Sequence, residues 1–217
     1  KQFSRDCVQI NKIGKVSCDL HQLERAISRD GKIVRPTISY DGVNYYFSVV
    51  IESDITILSA TKTEPIGIDL GIRTLMTLSD GREYSIDYEP IKHLIRRKHL
   101  ISKKLGRAYQ KETKSNNTKK LEKELLQVNK KISNYQNTAI YKMISDIVST
   151  NPEYVAMENL SLSNMVKNKN LSKSLNEAKF RFIRDQMEYK CKVYGIPFYL
   201  VGSKFPSTKK CSCCGER

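Results

Sequence analysis

Hydrophobic and polar positions change pattern three times along this chain. Up to about residue 64, short β-branched and aromatic runs dominate. Val8-Gln9-Ile10 leads into a turn at Lys12-Ile13-Gly14-Lys15. Ile33 to Tyr40 and Tyr45 to Glu52 are two strand-like runs joined by Asp41-Gly42-Val43-Asn44, and Asp-Gly between such runs predicts a hairpin. Gln22 to Ile27 reads as a short helix between strands, and Ser59 to Glu64 is a polar connector. Pro65 to Gly71 then reads as a buried strand. Leu75 to Leu78 and Arg82 to Ile86, around Ser79-Asp80-Gly81, predict a second hairpin, so three strands form an antiparallel meander.

From about Ile91 to Thr150 the period becomes helical. Ser115-Asn116-Asn117-Thr118 interrupts it, with Thr118 as the expected cap of the next helix. Leu121, Leu125, Val128, Ile132 and Tyr135 recur at three- and four-residue steps, one apolar stripe. The prediction is a helical hairpin with a basic outer face. Asn151-Pro152 stops it, and Tyr154 to Leu160 is a buried strand carrying Glu158. Ser161 to Ser172 is a polar loop. Leu175 to Tyr194 is a further helix with Ala178, Phe182, Ile183, Met187 and Cys191 as its buried stripe. Gly195 caps it, and Ile196 to Val201 is a last strand.

Charge adds a partner to this picture. The 217 residues carry a net charge of +15, with 28% charged and 39% hydrophobic residues. That length supports a real core, and that charge suits a polyanion, most often nucleic acid. Arg96, Arg97, Lys98, Lys103, Lys104 and Arg107 on the first helix, with Lys167 and Lys169 in the later loop, are the candidate nucleic-acid contacts. On its own such a run is most often a solvated helix face. A membrane surface is the competing polyanion, but no anchor accompanies the charge. No apolar run approaches the ~18 residues of a membrane span. The N-terminus lacks both Met and the pattern of a secretory signal. A cytoplasmic place, nucleoid-associated in a prokaryote, is the expectation.

Two constellations carry chemistry. Asp69 lies in the apolar run Pro65-Ile66-Gly67-Ile68-Asp69-Leu70-Gly71, where a carboxylate is costly to desolvate without a partner. The flanking Gly67 and Gly71 leave room for a backbone or a nucleic-acid strand to approach. If the Glu158 strand lies parallel beside the Asp69 strand, both carboxylates project at one end of a sheet. Their mutual repulsion is relieved by a divalent cation, and hard oxygen ligands suit Mg2+ or Mn2+. Two such ions clamp the attacking and leaving oxygens of a phosphodiester displacement. The plainer alternatives are an Asp in a strand-end turn and a Glu facing solvent. The second constellation is Cys211-Ser212-Cys213-Cys214-Gly215, in which Cys211 and Cys214 have the spacing of a zinc knuckle. A redox pair has the same spacing. The scattered Cys7, Cys18 and Cys191 read as small buried residues or free thiols.

These motifs have a familiar order. Gly67-Ile68-Asp69-Leu70-Gly71-Ile72, Leu78-Ser79-Asp80-Gly81 and Met157-Glu158-Asn159-Leu160 resemble the RuvC-like nuclease of the OrfB/TnpB family. So do Gln186 to Lys190 and Lys204 to Gly215. That family comprises transposon-encoded, RNA-guided DNA endonucleases related to the type V CRISPR effectors. The resemblance implies an α/β fold: an RNase H-like (RuvC) mixed sheet over residues 65–203, with a helical insert at about 91–150. A partial wedge-type β-barrel over residues 1–64, contacting guide RNA and target-flanking DNA, would precede it, and the start of a zinc ribbon over 204–217 would follow. It makes Asp69 and Glu158 the first two catalytic carboxylates and Mg2+ (or Mn2+) ligands. It makes Cys211 and Cys214 the first two Zn2+ ligands, with DNA and guide RNA as partners. In the family a second cysteine pair and a third catalytic Asp follow, so an internal fragment or a decayed copy is expected. The readings in competition are a nucleic-acid-binding protein without catalysis and a structural zinc-ribbon protein.

Overall fold

The computed structural model describes residues 3–4, 7–17, 32–52, 61–71, 73–110, 115–158 and 179–202. The expected helix at Gln22 to Ile27 lies outside these residues. The chain divides into two units, Lys1–Thr56 and Ile57–Arg217. In the first, β1 (Phe3–Ser4), β2 (Cys7–Ile10) and β3 (Gly14–Ser17) form a three-stranded antiparallel sheet. β4 (Lys32–Tyr40) and β5 (Tyr45–Glu52) form a separate antiparallel pair. Its turn follows from Asp41, whose Oδ1 accepts from the backbone N–H groups of Val43 and Asn44 at 3.0 and 2.8 Å. That side chain supplies locally what the turn's backbone donors need.

The second unit is built on β6 (Ile66–Leu70), β7 (Met76–Leu78), β8 (Glu83–Tyr84), β9 (Val155–Glu158) and β10 (Phe198–Val201). Their spatial order is β10-β9-β6-β7-β8. β6, β7 and β8 form the expected antiparallel meander. β9 returns parallel to β6, and β10 lies parallel to β9. The return needs a long crossover, which a 3-10 turn (Glu89–Ile91), α1 (Lys92–Ala108) and α2 (Asn116–Ser149) supply. α3 (Phe180–Tyr194) connects β9 to β10.

One face of the sheet carries the core. Ile66, Ile68, Met76, Leu78, Val155 and Met157 pack with Ile140, Ile144, Ile147 and Val148 from the C-terminal half of α2. Ile183, Met187 and Cys191 of α3 complete it. Full burial of each such side chain is worth roughly 1.5–3 kcal/mol. A second cluster, Ile91, Ile101, Leu105, Val128 and Ile132, holds α1 against α2, with Leu121, Leu125 and Tyr135 at its edge.

Two details differ from the sequence reading. The cap of α2 is Ser115, whose extended backbone lets its Oγ accept from the Thr118 N–H at 3.2 Å. Thr118 is inside the helix and buried. The stripe of α3 is Phe180, Ile183, Met187 and Cys191. Phe182 is only half-buried, stacked edge-on against Tyr141, and Leu175 to Ala178 lie outside the described residues. Gly195 does cap α3, at φ 65°, donating to the carbonyls of Cys191 and Lys192.

Candidate functional site

The side chains of β6 alternate between two faces. Ile66 and Ile68 are buried, so Gly67 and Asp69 face the other way. On β9, Val155 and Met157 are buried, which turns Ala156 and Glu158 to that same open face. The parallel register pairs Ile66 with Val155, Gly67 with Ala156 and Ile68 with Met157. That register ends one residue short of Asp69 and Glu158, which follow Ile68 and Met157 on the same two strands; neighbouring strands lie roughly 4.8 Å apart. Asp69 is exposed and Glu158 half-buried. Both stand at the C-terminal ends of parallel strands, where mixed α/β sheets place ligands.

The row continues on both sides. Asp69 pairs with Thr77 on β7, Thr77 with Glu83 on β8, and Glu158 with Val201 on β10. One row behind, Gly67 is locked to Ser79: the Gly67 N–H donates to Ser79 Oγ, and the Ser79 N–H to the Gly67 carbonyl, both at 2.9 Å. The two glycines do different things. A Cβ on Gly71 would lie 2.6 Å from the Thr74 carbonyl oxygen. The close approach there is the chain's own turn, in which the Gly71 N–H also donates to Leu75. A Cβ on Gly67 would meet only the Ser79 side chain, at an ordinary 3.7 Å.

Two adjacent carboxylates with hard oxygen donors fit a divalent cation such as Mg2+ or Mn2+. Among the described residues no group of three or more His, Cys, Asp or Glu side chains gathers. Cys211, Cys214, Lys167 and Lys169 lie outside the described residues.

The basic candidates on α1 separate into two kinds. Arg96, Arg97, Lys98, Lys103, Lys104 and Arg107 are all exposed, while Ile101 and Leu105 face α2. Arg97, however, donates from Nε and Nη2 to Glu124 Oε1, each at 2.6 Å. It ties α1 to α2.

Two anchors around the site were invisible in the sequence. Tyr84 donates its hydroxyl proton to Asp146 Oδ2, and Arg82 bridges Asp80 at 2.7 Å and Asp146 at 3.6 Å. The Arg82 hydrogen bond holds the Asp80 carboxyl below the usual range. Burial, then the Asp146 contact, raises the Tyr84 hydroxyl. This network fastens the β7–β8 hairpin to α2. The second anchor is Lys179, whose Nζ donates to Ser133 Oγ at 2.6 Å and Asn137 Oδ1 at 2.9 Å. Burial pushes its pKa down. Apart from Asp80, two residues from Arg82, the partners lie about 40 residues or more away, so no local pattern announces them.

The family model described as "Probable transposase" (OrfB_IS605) matches residues 48–169, from β5 past β9. The chain belongs to this family. A second family model, the Cas12f1-like TNB domain, matches residues 180–217. The "Putative RNA-guided DNA endonuclease" of Streptomyces pristinaespiralis is 32% identical over 180 residues, covering 82% of this chain and 43% of that protein. The "Putative RNA-guided DNA endonuclease InsQ" of Escherichia coli K12 is 24% identical over 201 residues, covering 86% of this chain and 48% of that protein. The chain thus spans less than half the length of these curated relatives. Among solved structures, a Cas12f1–sgRNA–target DNA complex aligns over 90% of this chain and 41% of its own, with TM-score 0.61 and 16% identity. That similarity shows a shared mixed α/β fold. For this OrfB_IS605 family chain it places the five-stranded sheet and its helices within a known architecture.

Proposed function

We propose that this chain is the nuclease-bearing part of an RNA-guided, metal-dependent DNA endonuclease of transposon origin. The observation that carries the proposal is the parallel pairing of β6 with β9, whose register runs to Ile68 and Met157, one residue before Asp69 and Glu158. Membership of the OrfB_IS605 family and the names of the two relatives point to the same activity. In this reading the sheet of the second unit is an RNase H-like (RuvC) core over residues 65–203, with α1 and α2, about residues 91–150, as its helical insert. Residues 1–64 are the end of a wedge-type β-barrel, and 204–217 begin a zinc ribbon with Cys211 and Cys214 as Zn2+ ligands. DNA and a guide RNA are the partners.

The chain's residues divide the work. Asp69 and Glu158 hold their oxygens on one open face, where Mg2+ or Mn2+ would be ligated. A cation bound there supplies an activated water and stabilises the leaving oxygen. Arg96, Lys98, Lys103, Lys104 and Arg107 present positive charge to phosphates, and this contact is sequence-independent. Sequence is read by base pairing to the guide. The core behind β6 and β9 keeps each carboxylate on the open face, since a slip of either strand by one residue would turn its own carboxylate into the core.

Glu158→Gln in the full-length protein tests this reading. It keeps shape and removes a charge. Metal-held oxygens contribute several kcal/mol to such a transition state, so Mg2+-dependent cleavage of guide-matched DNA is expected to fall by about a hundredfold or more. Cleavage at the parental rate would refute the assignment.

A further inference from the structure

Asp69 lies between two rungs that tie its strand to the β7–β8 hairpin. Successive residues of a strand turn their backbone groups to opposite edges. Ile66 donates its N–H to the Tyr154 carbonyl on the β9 side, so Gly67, Asp69 and Gly71 share the β7 edge. After Asp69, the Gly71 N–H donates to the Leu75 carbonyl at 3.3 Å. Before it, both backbone groups of Gly67 are held by one residue, Ser79. A regular antiparallel pair closes such a rung with the N–H and C=O of each residue. Ser79 uses its N–H, but its hydroxyl stands in for its carbonyl as the acceptor, at 2.9 Å. The chain turns at this point: Gly81 has φ 88°, and its N–H donates to the Leu78 carbonyl at 3.0 Å. Ser79 is itself well anchored. Asp80 beside it accepts from the Arg82 N–H at 3.0 Å and from Arg82 Nε at 2.8 Å, and Arg82 and Tyr84 both reach Asp146 on α2. The hairpin is thus tied to α2 at one end and, through Ser79, to the Asp69 strand at the other.

We propose that Ser79 is a positioning residue for the metal site: its hydroxyl closes the rung two residues before Asp69 and so fixes where β6 holds that carboxylate. This rests on the reading of Asp69 as a metal ligand. Without the hydroxyl, the Gly67 N–H loses its acceptor, and only the Ser79 N–H holds this edge of β6 ahead of Asp69. The strand is then free to shift, whereas a metal site needs its ligands held to within about 0.5 Å. Partners that orient metal ligands typically change affinity by about 10–100-fold when removed. Ser79 acts one step further back, through the backbone, so the lower end of that range applies. The competing role for Ser79 is hairpin stability alone. Threonine keeps the hydroxyl, whereas alanine removes it and cysteine replaces it with a weak acceptor of similar shape.

The test is Mn2+ binding to the full-length protein, followed by the electron paramagnetic resonance of the free ion, with thermal melts on the same samples. The parent is expected to bind, and Asp69→Ala to lose that binding. Ser79→Ala should bind about tenfold more weakly, with Ser79→Thr close to the parent. Ser79→Cys provides a second loss of the acceptor should alanine disturb the fold. Ser115→Ala is the stability control: it removes the cap of α2, lowers the melting temperature without touching this ladder, and should bind Mn2+ as the parent does. Parental affinity in Ser79→Ala and Ser79→Cys, alongside loss in Asp69→Ala, would overturn the positioning role alone. So would a loss in Ser79→Thr or in Ser115→Ala equal to that in Ser79→Ala. Absence of binding by the parent, or parental binding by Asp69→Ala, would overturn the metal reading itself and the role of Ser79 with it.

Discussion

Ile66 and Ile68 decide which way Asp69 points. Both are buried against the helices, so the strand's alternation delivers Asp69 to the opposite face. Gly71 then turns the chain, because the Thr74 carbonyl occupies the place of a Cβ. On the core side, Cys191 is fully buried, and burial pushes its thiol from the ordinary 9.0 up to about 11. Between those values the folded chain keeps a proton that the unfolded chain releases. Stability therefore falls as pH rises from about 9 to about 11, by at most about 1.4 kcal/mol per pH unit. Urea unfolding at pH 8 and pH 10.5 should show a larger loss for the parent than for Cys191→Ala. Equal losses would contradict the assignment. Asp69 and Glu158 were legible one by one, as charges in apolar runs. Their adjacency was legible only on condition that β6 and β9 pair in parallel, a long-range fact that neither segment encodes alone.

Elements with local punctuation were readable to within a residue or two. Asp41-Gly42 and Asp80-Gly81 marked their hairpins, and the three- and four-residue apolar steps marked α2. The start of α2 was misplaced because Ser115 and Thr118 are both good caps. What separates them is backbone geometry, with Ser115 extended and Thr118 already helical. Ser115→Ala should therefore destabilise the helical hairpin by about 1 kcal/mol, whereas Ser115→Asp keeps the cap. Chemical denaturation checks this, and no loss in the alanine variant would contradict it. The start of α3 had no such punctuation. Lys179 sits there in the left-handed region at φ 54° and reaches across to Ser133 and Asn137 on α2. Likewise Arg97 belongs to a basic run in the sequence but to an interhelical tie in the fold. A charge count cannot distinguish a cation facing solvent from one facing a glutamate 27 residues away.

At the scale of the molecule, acidic and basic residues have separate tasks. The net charge of +15 attracts a polyanion over a broad surface, whereas the two carboxylates occupy one row of one sheet. On the proposed function, binding and cleavage are separable, and the residue that separates them most sharply is Asp69. The decisive measurement is Asp69→Ala in the full-length protein, with nucleic-acid binding and Mg2+-dependent DNA cleavage followed on the same preparation. The account predicts that cleavage is lost while binding stays close to that of the parent. Undiminished cleavage by Asp69→Ala would contradict it.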